Sequence, residues 1–331
     1  MAYLTVKKFS TTAGSNTNAT TGINWDEGMA PSAVNDSARA TLAAIAEFYQ
    51  TLPQACQFRL TLSAGVPVTT ADVTAATTIY LTPYGGNRIW LYDGSAQWNL
   101  FASAEMSIAV PATTSTMYDV FCYDNSGTPT LELTAWTNDT TRATALTLQN
   151  GVYVKSGATT RRYVGSFRTT GVSGQTEDSI AKRYVWSYYN RVTKPMRVVE
   201  STASWTYSTA TWRQANGSTA NQLDFVTGVA EDMVKCSIHV GARSSTAAGT
   251  VLMIVGVGLD STSTNNATNF AGQANFTTSN QQDISATYEN FHTAGRHYLA
   301  WLEYSTTAAT TTWFGTNNPQ STAAISGELR C

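Results

Sequence analysis

Charge is scarce in this 331-residue chain: Asp, Glu, Lys and Arg make up 13% of it, with 20 basic residues against 22 acidic and a formal net charge of -2. The balance is -2 over residues 1–105, +3 over 106–195 and -3 over 196–331. No part is basic enough to track phosphates, so nucleic acid is not an expected partner. Long apolar runs are missing too. The longest candidate, residues 250–258, falls well short of the about 20 residues of a spanning helix. The opening MAYLTVKK places its charges after its apolar residues, unlike a secretory signal. Membrane insertion is therefore not expected.

Cysteine and histidine are equally sparse. Cys56, Cys122, Cys236 and Cys331 are too dispersed for a metal-ligand pair or a redox CxxC, and sequence cannot choose among their three possible pairings. Cys331, on an end expected to be mobile, is the candidate for an interchain disulfide; a free, inert thiol is the plainer alternative. Of the three histidines, His239 should point away from its strand's buried face. His292 and His297 are five apart, which suits neither one helix face nor one strand face. No HExxH, GxSxG or P-loop occurs, and Gly256-Val-Gly258 lacks the third glycine of a dinucleotide fingerprint. No catalytic, cofactor-binding or metal residue is assigned, and no cofactor is expected. Asp224, Glu231, Asp232, Asp260, Asp283, Glu289 and Glu303 form an acidic pool expected to be mostly solvated; nothing selects a glycosidase pair from it.

What is present is hydroxyl and aromatic. Ser and Thr are abundant, and Phe, Trp and Tyr number 36, which argues for packed cores and against long disorder. Residues 10–22 show no period and are expected to form an extended arm. From Ser32, a candidate cap after Pro31, the residues Val34, Ala38, Leu42, Ile45, Phe48 and Leu52 recur at steps of three and four, the spacing of an amphipathic helix that ends near Pro53. Its stripe needs a partner, either another chain or its own β domain. Beyond residue 57 the pattern is that of strands, with Asp93-Gly94 between the apolar runs 87–92 and 97–101 as a hairpin signal.

The fold class expected is mainly β: an N-terminal arm and amphipathic helix (1–55), a small β domain (56–105), a second antiparallel domain (106–195) and an outward-facing C-terminal β-sandwich of jelly-roll type (196–331). The polar loop 260–282 sits where binding surfaces are usually built. Arg161, Arg162, Arg168, Lys182, Arg183 and Arg191 account for the positive middle segment; they suit either a solvated face or an acidic neighbouring subunit.

Residues 24–40, NWDEGMAPSAVNDSARA, resemble the amino-terminal segment of many tailed-bacteriophage fibre and minor virion proteins. A longer resemblance, to a module of phage and prophage structural proteins, is carried by residues 65–73 (GVPVTTADV), 79–89 (IYLTPYGGNRI), 158–165 (ATTRRYVG) and 176–192 (TEDSIAKRYVWSYYNRV). The resemblance implies a non-enzymatic component of a phage particle, assembled in the bacterial cytoplasm and attached by its N-terminal segment to tail, neck or capsid proteins. Trp25, Val34, Leu42, Ile45 and Phe48 are the residues expected to attach it and to close a homo-oligomer. A trimer is the expected state, since three amphipathic stripes can close on one another. A receptor protein that binds a host-surface glycan is the alternative, with a polysaccharide-degrading tailspike behind it.

Overall fold

The computed structural model describes residues 28–51, 55–95, 97–245, 248–270, 273–275, 280–317 and 322–331. The helix runs Pro31–Thr51. It begins one residue before the expected Ser32 cap, because proline lacks the N–H that the first turn leaves unbonded and its φ suits the first helical position. Val34, Leu42 and Ile45 are 43%, 67% and 50% exposed, so the apolar stripe points largely to solvent. Trp25 and the Phe48 side chain lie outside the described residues. No helix among the described residues is long and apolar enough to cross a membrane.

The remaining described chain is mainly β, as expected. Phe58–Thr61, Thr78–Pro83 and Met106–Ala109 form one sheet, and the expected hairpin pairs Arg88–Tyr92 with Trp98–Ala102. Its turn is held by the Asp93 carboxylate, which accepts the Ser95 and Gln97 amides. Apolar alternation at Phe58, Leu60 and Leu62 suggested one buried face, yet all four residues of Phe58–Thr61 are buried. Arg59 is covered because its guanidinium reaches the carbonyls of Pro67, Asn190 and Cys331.

The segments expected as separate small domains share their interiors. In Met117–Asn125, Tyr118, Val120 and Cys122 pack with Phe58, Leu60 and Ile79, while Met117 and Phe121 on the other face join the core of the C-terminal sandwich. The middle sheet is thus a layer between two cores. Val73–Ala76 pairs with Thr176–Asp178, and Lys182–Arg183 then runs parallel to Gln222–Thr227, so one eight-stranded sheet draws strands from all three expected β segments.

The C-terminal part has the strand order of a jelly roll. Eight of its strands carry that order: Thr193–Val199, Gln222–Thr227, Met233–Ser244, Ala248–Leu259, Gln273–Asn275, Gln282–Phe291, Gly295–Ser305 and Ala324–Arg330. Counted in that order, one sheet runs first, eighth, third, sixth and the other second, seventh, fourth, fifth, every pair antiparallel. Two sheets interleaved in this way are the double Greek key of a jelly roll. Ile238, Val240, Ile284 and Ile325 from one sheet meet Leu223, Phe225, Val255, Val257 and Trp301 from the other, each large aliphatic or aromatic contributing about 1.5–3 kcal/mol of transfer free energy. The polar stretch 260–282, expected as a plain loop, supplies short strands to both sheets: Asn269–Phe270 to one and Gln273–Asn275 to the other.

The basic cluster of the middle segment is paired within the chain, with Lys182 and Arg161 still partly exposed. Arg161 pairs with Glu132, Arg168 with Asp139, Lys182 with Glu177, Arg183 with Asp178 and Arg191 with Glu231 and Asp232. Arg162, fully buried, donates to the Trp90 and Ala55 carbonyls and to the Tyr189 hydroxyl. Arg162 and Arg191 thereby tie together segments far apart in the chain, whereas Arg161, Lys182 and Arg183 pair within their own sheets.

Cys331 does not sit on a mobile end. It is fully buried, its backbone exchanges two hydrogen bonds with Val192, and Arg59 donates to its carbonyl. Cys56, Cys122, Cys236 and Cys331 are all buried free thiols, and burial raises the pKa of each. An interchain disulfide at Cys331 would require unpacking it.

Candidate functional groove

The period-2 rule builds a surface on the outer face of the first sandwich sheet. Along Met233–Ser244, Val234, Cys236, Ile238 and Val240 are buried, so Lys235, Ser237 and His239 project outward. His239 is exposed, as its strand position led us to expect. The registers of the two neighbouring strands set these residues in rows. Lys235 stands between Glu328 and Glu289, Ser237 between Ser326 and Thr287, and His239 between Ala324 and Ser285. A charged row therefore borders a row of three hydroxyls.

Thr268 and Asn269 wall this face. The Thr268 amide donates to the Thr287 carbonyl, its hydroxyl accepts the Glu289 amide, and Asn269 pairs with Thr287. Floor and wall enclose a groove of about 410 Å³. It adjoins a smaller depression of about 190 Å³ that shares Lys235 and Glu328 and adds Asp232, Met233 and Arg330. Lys235 Nζ lies 2.9 Å from Glu289, and that hydrogen bond raises the lysine pKa. Among the described residues the side chains of Glu328, Thr287 and Asn269 have no hydrogen-bond partner within the chain.

Sequence placed a binding surface in the stretch 260–282, and Thr268 and Asn269 belong to it. It did not pick out Lys235, Ser237, Glu328 or Ser326, because their common face depends on strand pairings between residues about 90 positions apart.

A second hollow, about 510 Å³, lies between the middle sheet and the sandwich, with Trp136, Arg142, Leu146, Tyr153, Val229 and Ala294 in its wall. Arg142 is occupied there. It lies over the Trp136 ring, forms a bidentate pair with Asp119, and donates to the Gly228 carbonyl. The hollow is a seam between layers.

Of the acidic pool, Glu231, Asp260, Asp283 and Glu289 are exposed, as expected of most of it, while Asp224 and Glu303 are buried; several of the seven are paired. Asp224 pairs with Arg296, Asp232 with Arg191 and Asp260 with His297. Glu303, fully buried, accepts from Trp205 Nε1 at 2.6 Å and Arg213 Nε at 2.7 Å; burial raises its pKa. His292 and His297, unrelated by spacing, meet across the turn between two strands with ring centroids 5.2 Å apart. Among the described residues no three His, Cys, Asp or Glu side chains converge as metal donors.

No protein-family model and no curated protein matches the chain. Among solved structures, it is similar to infectious bursal disease virus, Gx strain, at 9% identity over 81% of this chain and 74% of that one, with a TM-score of 0.22. The infectious bursal disease virus VP2 subviral particle gives 11% identity over 85% and 83%, with a TM-score of 0.17. A β-porphyranase of glycoside hydrolase family 86 from Bacteroides plebeius gives 11% over 75% and 35%, with a TM-score of 0.20. Likenesses at these scores carry no weight, and the fold assignment rests on strand order.

Proposed function

We propose that this chain is a structural, non-enzymatic component of a bacteriophage virion, a tail, collar or head fibre. In this reading residues 1–52 attach it to other virion proteins and close a homotrimer, and the jelly roll faces outward. The observation that carries the proposal is the exposed stripe of Val34, Leu42 and Ile45 on a helix whose first part, residues 31–40, belongs to the stretch resembling phage attachment segments and whose remainder continues directly from it. Covering each such side chain stabilises an assembly by about 1.5–3 kcal/mol at full burial. Two further features support it. The jelly roll is an architecture used by viral capsid and lectin domains, and the paired carboxylates and buried thiols serve internal packing.

Deleting residues 1–52 in the phage tests the proposal. The expected particles lack the protein while the truncated chain remains folded; a truncated chain that incorporates normally would contradict it. The alternative role, binding a surface glycan, is favoured by the polar groove on the sandwich.

A further inference from the structure

We infer that the groove over Met233–Ser244 binds a neutral saccharide, with the hydroxyl row as its floor and the charged row as its orienting end. The inference rests on the proposal that the sandwich faces outward. Its first support is chemical uniformity. The side chains that project into the groove are Ser237, Ser326, Thr287, Asn269, Lys235, Glu289 and Glu328, while Cys236 and Tyr288 in the same strands turn inward. Over the hydroxyl and charged rows an apolar peptide or lipid chain would find no exposed apolar side chain to cover; Met233 lies beyond them, in the adjoining depression.

Charge narrows the choice. Two carboxylates flank one ammonium in the charged row, leaving one negative charge in excess, which disfavours phosphate, sulfate and sialic acid. A sugar ring presents closely spaced groups that both donate and accept, and this is what the rows complement. Glu328 and Glu289 accept, Lys235 donates, and the three hydroxyls and Asn269 do either. The free hydrogen-bonding capacity of Glu328, Thr287 and Asn269 falls on one side of the groove and its end, where a ligand hydroxyl could take the place of water.

The experiment is a glycan array on the full chain with neutral and anionic oligosaccharides, followed by titration calorimetry of the neutral hits. Glu289→Gln, Glu328→Gln and Thr287→Val would be compared with the wild type, their folding checked by near-UV circular dichroism. The expected result is binding of neutral glycans, weakened roughly tenfold or more by each carboxamide, as befits loss of a charge-assisted hydrogen bond. Three results would overturn the inference: no glycan bound by the folded chain, binding of anionic glycans alone, or neutral binding undiminished in both carboxamide variants. Particle incorporation, measured separately, distinguishes failure here from failure of the virion proposal.

Discussion

His297 Nδ1 lies 2.7 Å from Asp260 Oδ2, and its other nitrogen, Nε2, lies 2.9 Å from the Thr293 carbonyl oxygen. Both partners are acceptors, so the protonated ring, with an N–H on each nitrogen, satisfies both at once. Burial opposes the charge, but the hydrogen bond and attraction from Asp260 prevail and raise the pKa above 6.5. The raised value means that folding favours the protonated form. This stabilisation is complete below pH 6.5 and is lost as pH rises through the folded pKa. The wild-type melting temperature should therefore fall across that alkaline window relative to His297→Gln. A constant difference between the two would contradict it.

His292 should act in the opposite sense. Burial, and then repulsion from His297, lower its pKa to about 4. The unfolded chain binds a proton there sooner than the folded one, so stability present above pH 6.5 is lost as pH falls toward 4. His292→Phe should melt with a shallower acid limb. An unchanged limb would show that this ring does not titrate with folding.

Asp178 is the common partner of Arg183 and Lys194, all three side chains less than 10% exposed. Asp178→Ala would leave two buried cations without their carboxylate, a loss of about 3–5 kcal/mol readable from urea unfolding. A loss below about 1 kcal/mol, the range of exposed pairs, would contradict the buried geometry.

Gly228 touches the seam between the middle sheet and the sandwich. A Cβ there would lie 2.0 Å from the Tyr163 hydroxyl and 2.5 Å from the Trp186 ring, so Gly228→Ala should destabilise by about 1–3 kcal/mol through overpacking. If the seam is as tight as this, both cores should melt in one transition. Separate melting of the segments before and after residue 195 would contradict a shared interior.

The local signals in the sequence were legible, and the long-range ones were not. The Asp93-Gly94 hairpin, the Pro31–Thr51 helix and the sandwich as an architecture follow from periodicity and turn chemistry. Three features did not. The sharing of cores between segments was not legible because Met117–Asn125 buries both faces, which an apolar run alone cannot distinguish from a strand at the edge of its own core. The basic cluster was misjudged because Arg162 and Arg191 find partners about 40 to 107 positions away. The groove rows depend on register between strands that the sequence does not align. Cys331 illustrates the same limit: its position suggested mobility, whereas contacts from Arg59 and Val192 hold it buried. The four thiols should resist a thiol reagent until the chain is unfolded, and gel migration should not change with reduction. Rapid labelling of the folded chain or a reducible dimer would refute this.

Quantitative mass spectrometry of purified particles tests the virion role most directly. The account predicts that the full chain copurifies with the particle in a copy number divisible by three. Particles devoid of the chain, with the protein recovered as a free monomer, would contradict it.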